Sequence, residues 1–178
     1  EQQAMDDIPS LSAFICGSPS GSTRTRATRV YGGKLTWLHF AASLDVLELV
    51  ELMIDQLRID IDMKDSDGRT ALFCATLSGN SVMANFLLDR GARASVAHDH
   101  LGNTCLHFVT SFDRDSITGI VRRLVENGGY VNAQNLKQET PLHTALKYPI
   151  SAASSLIAVQ ALLNLHADPW IPDVDGDM

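Results

Sequence analysis

Three histidines, His39, His107 and His143, each follow a leucine and recur along the chain in the same local setting. Three imidazoles brought to one surface are the donor set of a zinc centre. His98-Asp99-His100 forms a second, closer cluster of metal-capable side chains. Cys74 and Cys105 raise a third chemistry, because a thiol beside a histidine becomes a nucleophile once the imidazole takes its proton. Which of these can operate depends on the elements that hold the side chains.

Those elements repeat. Thr36-Trp37-Leu38-His39-Phe40-Ala41-Ala42, Thr70-Ala71-Leu72-Phe73-Cys74-Ala75, Thr104-Cys105-Leu106-His107-Phe108-Val109 and Thr140-Pro141-Leu142-His143-Thr144-Ala145 share one pattern, and their threonines are 34, 34 and 36 residues apart. Self-similarity at a fixed period means stacked units. Stacked layers lie ~10 Å apart, the spacing of packed sheets, whereas zinc needs every donor at about 2 Å. A histidine ladder with this period therefore reads as structural, and no metal is expected. His98-Asp99-His100 has no cysteine or third histidine nearby. No G-x-S-x-G, GxxxxGK[ST], HExxH or GxGxxG motif is present, so neither catalysis nor a cofactor is expected within this segment.

With 178 residues, 45% of them hydrophobic and 20% charged, the composition is that of one ordinary globular domain. Aromatics make up only 6%, which suits close packing of helices through small residues. The net charge of −7 argues against nucleic acid as the ligand of the array, because phosphate neutralisation needs clustered Lys and Arg. No apolar run approaches the ~18 residues of a membrane span. The opening Glu1-Gln2-Gln3-Ala4-Met5-Asp6-Asp7 has neither the basic nor the apolar region of a signal peptide. Three sparse cysteines, Cys16, Cys74 and Cys105, fit a reducing compartment, cytoplasmic or nuclear.

The T-P-L-H-x-A pattern at a period of about 33 residues resembles the ankyrin repeat, a turn followed by two antiparallel helices. The resemblance implies an all-α ankyrin-repeat solenoid, stacked helix-turn-helix units with β-hairpin fingers. Four repeats are expected over residues 31–64, 65–98, 99–134 and 135–172, after an N-terminal lead and Ser/Gly/Arg-rich linker over 1–30. Residues 173–178 would open a truncated fifth repeat, so the chain reads as a fragment of a longer protein. In the family the Thr opens the first helix and serves free N–H groups, the Leu plugs the core between repeats, and the His bonds to neighbouring turn backbone. Cys105 occupies the place proline usually takes, and a buried position suits it better than a catalytic one. Val131-Asn132 resembles a site of asparagine hydroxylation in the family, although Tyr130 stands where an acid is usual.

Within the lead, Asp7–Cys16 is expected to form a short helix with Ser10 as its N-cap, followed by a solvated linker. Asp45 is expected to cap the second helix of repeat one. Repeat three carries three extra residues near Thr110–Ser116 and repeat four five near Lys147–Ser155, both expected as loops between the helices, with Pro149 stopping the first helix of repeat four.

Arrays of this type bind proteins with the finger tips and the concave ends of the first helices. Carrying those positions over by register marks Asp67 and Arg69, then His100, Leu101 and Asn103, then Leu136, Lys137 and Glu139 in the turns. At the helix ends it marks Phe112, Lys147 and Tyr148. The turn residues are expected to be free for recognition. Phe112 and Tyr148 are either exposed anchors or are buried by the neighbouring insertions. The mixed charge along this face points to a protein partner. The expected function is a non-catalytic protein-interaction module, a monomeric recognition arm. The alternative is a regulatory or substrate-recruiting part of a multidomain enzyme (a kinase, ligase or NTPase). A passive spacer is a weaker rival, and it predicts tolerance of charge reversal at Lys137 and Lys147.

Overall fold

The computed structural model describes residues 36–148 and 150–177. The helix expected over Asp7–Cys16, the linker after it and the stop at Pro149 lie outside these residues.

The described chain is built from helix pairs. In repeat one, α1 (Trp37–Ser43) is followed by α2 (Leu47–Asp55). In repeat two, α3 (Ala71–Leu77) is followed by α4 (Ser81–Asp89). Repeat three replaces its first helix with a 3-10 segment, Cys105–Ser111, ahead of α5 (Arg114–Glu126). Repeat four has α6 (Pro141–Lys147) and α7 (Ala152–Asn164). First helices pack on first helices along one row, and the second helices of repeats two, three and four pack on one another along the other. Each fixed-period unit exposes apolar faces that only its neighbours can cover.

The core follows the pattern. Leu38, Leu72, Leu106 and Leu142 are all buried, one per repeat. Val50 and Met53, then Met83 and Leu87, then Ile120 and Leu124, then Ala158 and Leu162 line the second helices from inside. Burying a leucine or isoleucine contributes about 1.5–3 kcal/mol.

The helices open as their residues dictate. The Thr70 hydroxyl accepts from the Phe73 N–H at 3.3 Å, and the Asn80 side chain accepts from the Met83 N–H at 3.0 Å. Pro141 takes the first turn of α6, where its missing N–H costs nothing. Asp45 does not cap α2. It sits at φ 61°, at the turn position that Gly79 fills in repeat two, and an aspartate tolerates that left-handed conformation because its short polar side chain can bond locally. In the 3-10 segment Phe108 leaves helical geometry, at φ −113° and ψ 16°. The run Val109-Thr110-Ser111 that follows is poor in helix formers.

The extra residues of repeats three and four are not loops. α4 has 9 residues, whereas α5 and α7 have 13 each. The added length therefore becomes about one extra helical turn at the start of each second helix, where its N–H and C=O groups are satisfied internally.

The fingers are turns, and among the described residues an isolated bridge between His98 and Thr104 is all that is strand-like. Each is closed at its base by a backbone hydrogen bond, Asp65 N–H to Arg69 C=O at 2.9 Å, Asp99 to Asn103 at 3.0 Å, Asn135 to Glu139 at 3.0 Å and Asp173 to Asp177 at 3.0 Å, and a second bond returns to the same first residue from Gly68, Gly102, Gln138 and Gly176.

Candidate protein-binding face

The histidines are tied into this frame. The Nε2–H of His39 donates to the Arg69 carbonyl at 2.8 Å, that of His107 to Glu139 at 3.0 Å and that of His143 to Asp177 at 3.2 Å. The backbone N–H of Thr104 donates to His107 Nδ1 at 3.0 Å, and that of Thr140 to His143 Nδ1 at 3.1 Å. A nitrogen that accepts an N–H is unprotonated, so these two rings are neutral with the proton on Nε2. Each histidine thus bolts its own helix start to the turn of the next repeat. Both nitrogens are committed, and none of the three points a free lone pair at a metal. In repeat two the position is Phe73, whose ring packs edge-on against Phe108 with centroids 5.5 Å apart.

Burial pushes the pKa of His39 and His107 below the usual imidazole value. Backbone acceptors and nearby carboxylates oppose this but do not overcome it. The unfolded chain therefore binds more protons than the folded one below the ordinary imidazole pKa. The stability these two residues contribute is complete above pH about 6.5 and is lost progressively as the pH falls from there through the lowered folded value. The melting temperature should drop between pH 7 and about pH 5, and a His39→Gln variant should show a shallower drop. Thermal melts across this range check it, and identical slopes would mean that His39 is not buried neutral.

The two described thiols are held protonated and away from solvent. Cys74 and Cys105 are free and buried, and burial drives both pKa values up to about 12. In the His98-Asp99-His100 cluster, His98 Nε2 lies 3.1 Å from Lys64 Nζ, and the Asp99 carboxylate accepts from the Leu101 and Asn103 N–H groups at 2.9 and 2.8 Å. Asp99 is thus engaged in the turn and His98 with Lys64, while His100 is exposed.

The turns explain which marked residues are available. The Asp65 carboxylate accepts from the backbone N–H groups of Asp67 and Arg69, both at 2.9 Å, and its other oxygen meets the Arg69 guanidinium at 2.8 Å. Arg69 also pairs with Asp67 at 2.8 Å and is buried. It is a strut of the turn, where the sequence suggested a free residue, and Asp67 is half-buried against it. Glu139 is likewise buried, accepting from Asn135 Nδ2 at 3.0 Å and from the Tyr148 hydroxyl at 3.2 Å. Phe112 is only 2% exposed, so of the two readings of that residue burial holds. The Lys147 ammonium is bonded to the Asp173 carboxylate, with Asp177 at 3.5 Å and Glu139 at 4.0 Å. Lys147 therefore closes the final turn. The Lys147→Glu variant would place a fourth carboxylate among three, and hydrogen exchange at the Asp175 and Asp177 amides should accelerate. Unchanged exchange there would remove this role.

Six of the marked residues converge. Leu101 and Leu136 stand on adjacent turn tips, 48% and 75% exposed, and the Leu136 N–H donates to the Leu101 carbonyl at 2.9 Å. Gly102 makes that approach feasible: its φ is +78°, and an added Cβ would lie 3.4 Å from Asn135 Cα. Facing the tips are Phe108 on the 3-10 segment and, after α6, Tyr148, which is 55% exposed, and Ile150. Together with Asn103, Lys137 and Glu139 they enclose a groove of about 280 Å³. Asp67, Arg69, His100, Phe112 and Lys147 lie outside it. His100 is exposed beside Leu101. Phe108 and Ile150 were not marked by register; Phe108 directly follows the patterned His107, and Ile150 falls in the residues that the repeat pattern does not align. Asn132 lies on another junction, where its side-chain oxygen accepts from the Asp168 N–H at 2.9 Å.

A stack of helix pairs with rigid turn tips beside a concave groove defines a protein-interaction solenoid. The chain belongs to the ankyrin repeat family: a family model described as "Ankyrin repeats (3 copies)" matches residues 10–98, and one described as "Ankyrin repeat" matches residues 101–136. It is similar to the transient receptor potential cation channel subfamily A member 1 homolog of Caenorhabditis elegans, 30% identical over 82% of this chain and 12% of that protein. It is similar to a "probable serine/threonine-protein kinase" of Dictyostelium discoideum, 34% identical over 55% of this chain and 10% of that protein. It is also similar to neurogenic locus notch homolog protein 1 of Homo sapiens, 30% identical over 62% of this chain and 4% of that protein. The chain thus spans no more than 12% of the length of these relatives. Among the described residues no helix is long and apolar enough to cross a membrane.

Proposed function

We propose that this chain is a non-catalytic recognition arm that seats a partner protein in the groove between the fingers of repeats three and four and the first helices beneath them. The observation that carries this reading is the convergence of Leu101, Leu136, Tyr148 and Ile150, all exposed, over the half-buried Phe108. Exposed apolar and aromatic side chains around one concavity gain by being covered. The turn tips are already held by backbone hydrogen bonds, so little conformational entropy is lost on binding.

A randomised linear peptide library displayed on phage tests it. Peptides selected on the wild-type chain should bind a Leu136→Asp, Tyr148→Ser double variant at least about tenfold more weakly, with circular dichroism unchanged. Equal binding by both would move the site elsewhere. The alternative, a regulatory or substrate-recruiting part of a larger enzyme, draws support from the similarity to the Dictyostelium discoideum kinase. It uses the same groove and differs only in what the groove serves.

A further inference from the structure

Resting on the groove proposed above, we infer that its occupant is an extended segment of another protein carrying an apolar side chain with one carboxylate beside it, and that the carboxylate pairs with the Lys137 ammonium. Two charged side chains belong to the groove wall, Lys137 and Glu139. Glu139 is already served by Asn135, the Tyr148 hydroxyl and Lys147. Among the described residues no carboxylate lies within ion-pair distance of Lys137; the same holds for Arg58, Lys64 and Arg114, but none of those three lines the groove. The ammonium is displayed from a backbone fixed on both sides. The Lys137 N–H donates to Asn135 Oδ1 at 2.8 Å, and the Lys137 carbonyl accepts from the Val174 N–H at 3.1 Å. Its neighbour Leu136 forms the apolar wall, so one rigid turn presents an apolar contact and an uncompensated cation side by side.

The surroundings limit how acidic that partner is. The chain as a whole carries −7, and a polyacidic segment would be repelled before it reached the groove. The matching chemistry is a single Asp or Glu next to a large apolar residue, in a segment otherwise neutral or basic.

The test is a charge swap on the peptides selected from the display library. The selected sequences should share an apolar residue adjoining Asp or Glu. Lys137→Glu should weaken them by about fivefold to tenfold, the scale of a partly exposed pair turned repulsive. Replacing the peptide carboxylate with Lys should restore binding to Lys137→Glu and to no other variant. Peptides that need Leu136 and Tyr148 but show no acid preference, or no rescue by the swap, overturn this inference and leave the groove reading standing. Peptides indifferent to Leu136 and Tyr148 overturn both.

Discussion

Gly79→Ala is expected to destabilise the chain by about 2–5 kcal/mol, combining left-handed strain with a steric clash. Gly79 has φ +70°, and an added Cβ would stand 2.2 Å from the Ser111 carbonyl oxygen and 3.0 Å from its carbon. Those atoms are backbone of the next repeat, so no rotamer change can clear the space. Relief requires that repeats two and three separate or that the 3-10 segment shift. Gly91→Ala isolates the first of the two effects. Gly91 has φ +87° and nothing within 4 Å of the added atom, so it should cost only the left-handed strain, about 1–2 kcal/mol. Urea denaturation of both variants decides the matter. A cost at Gly79 no greater than at Gly91 would mean that the two repeats are not in contact at this turn.

Leu106→Ala should cost about 2–5 kcal/mol, the range of a large-to-small change in a closed core. Leu106 is 1% exposed, and its Cδ1 would lie 3.4 Å from a Cβ added at Gly129, so the side chain fills the space under the loop after α5. A solenoid has no remote contacts through which the loss could be shared, so the junctions on either side of repeat three should weaken together. Leu142→Ala is the matched comparison. Leu142 holds the same place in repeat four but is 7% exposed, and beside it Leu146 is an exposed leucine. A site partly open to water forfeits less when truncated, so Leu142→Ala should cost less than Leu106→Ala. Thermal melts that show no loss for Leu106→Ala would sink the repeat register altogether.

The passive-spacer reading can now be tested at one of its two positions. Reversing Lys147 disturbs the Asp173 turn whether or not a partner exists, so its effect says nothing about recognition. Lys137 carries no such structural duty, and it is the position where tolerance and recognition diverge.

The repeat period, the family, the structural role of His39, His107 and His143, the Pro141 helix start and the leucine core were all legible in the order of the residues. Each of these follows from local needs that recur once per unit: a capped helix, a plugged interface, a bolted turn. Recurrence at a fixed interval exposes them to a reader of the linear chain. Several marked groove residues, Leu101, Leu136 and Tyr148 among them, were also legible, because register alone places them on turn tips and helix ends.

Other features emerge only once the repeats are stacked. Arg69 and Glu139 occupy turn positions that the sequence treated as free, yet both face inward, because Asp65 and Asn135 offer them buried partners. Phe112 is buried, in the part of repeat three where the extra residues lengthened α5 instead of forming a loop. Lys147 went to Asp173, 26 residues on, and away from the groove. These outcomes depend on distances between neighbouring repeats and on which of several charges lies nearest. Periodicity fixes where each residue stands within its own unit. The geometry between units settles what that residue touches.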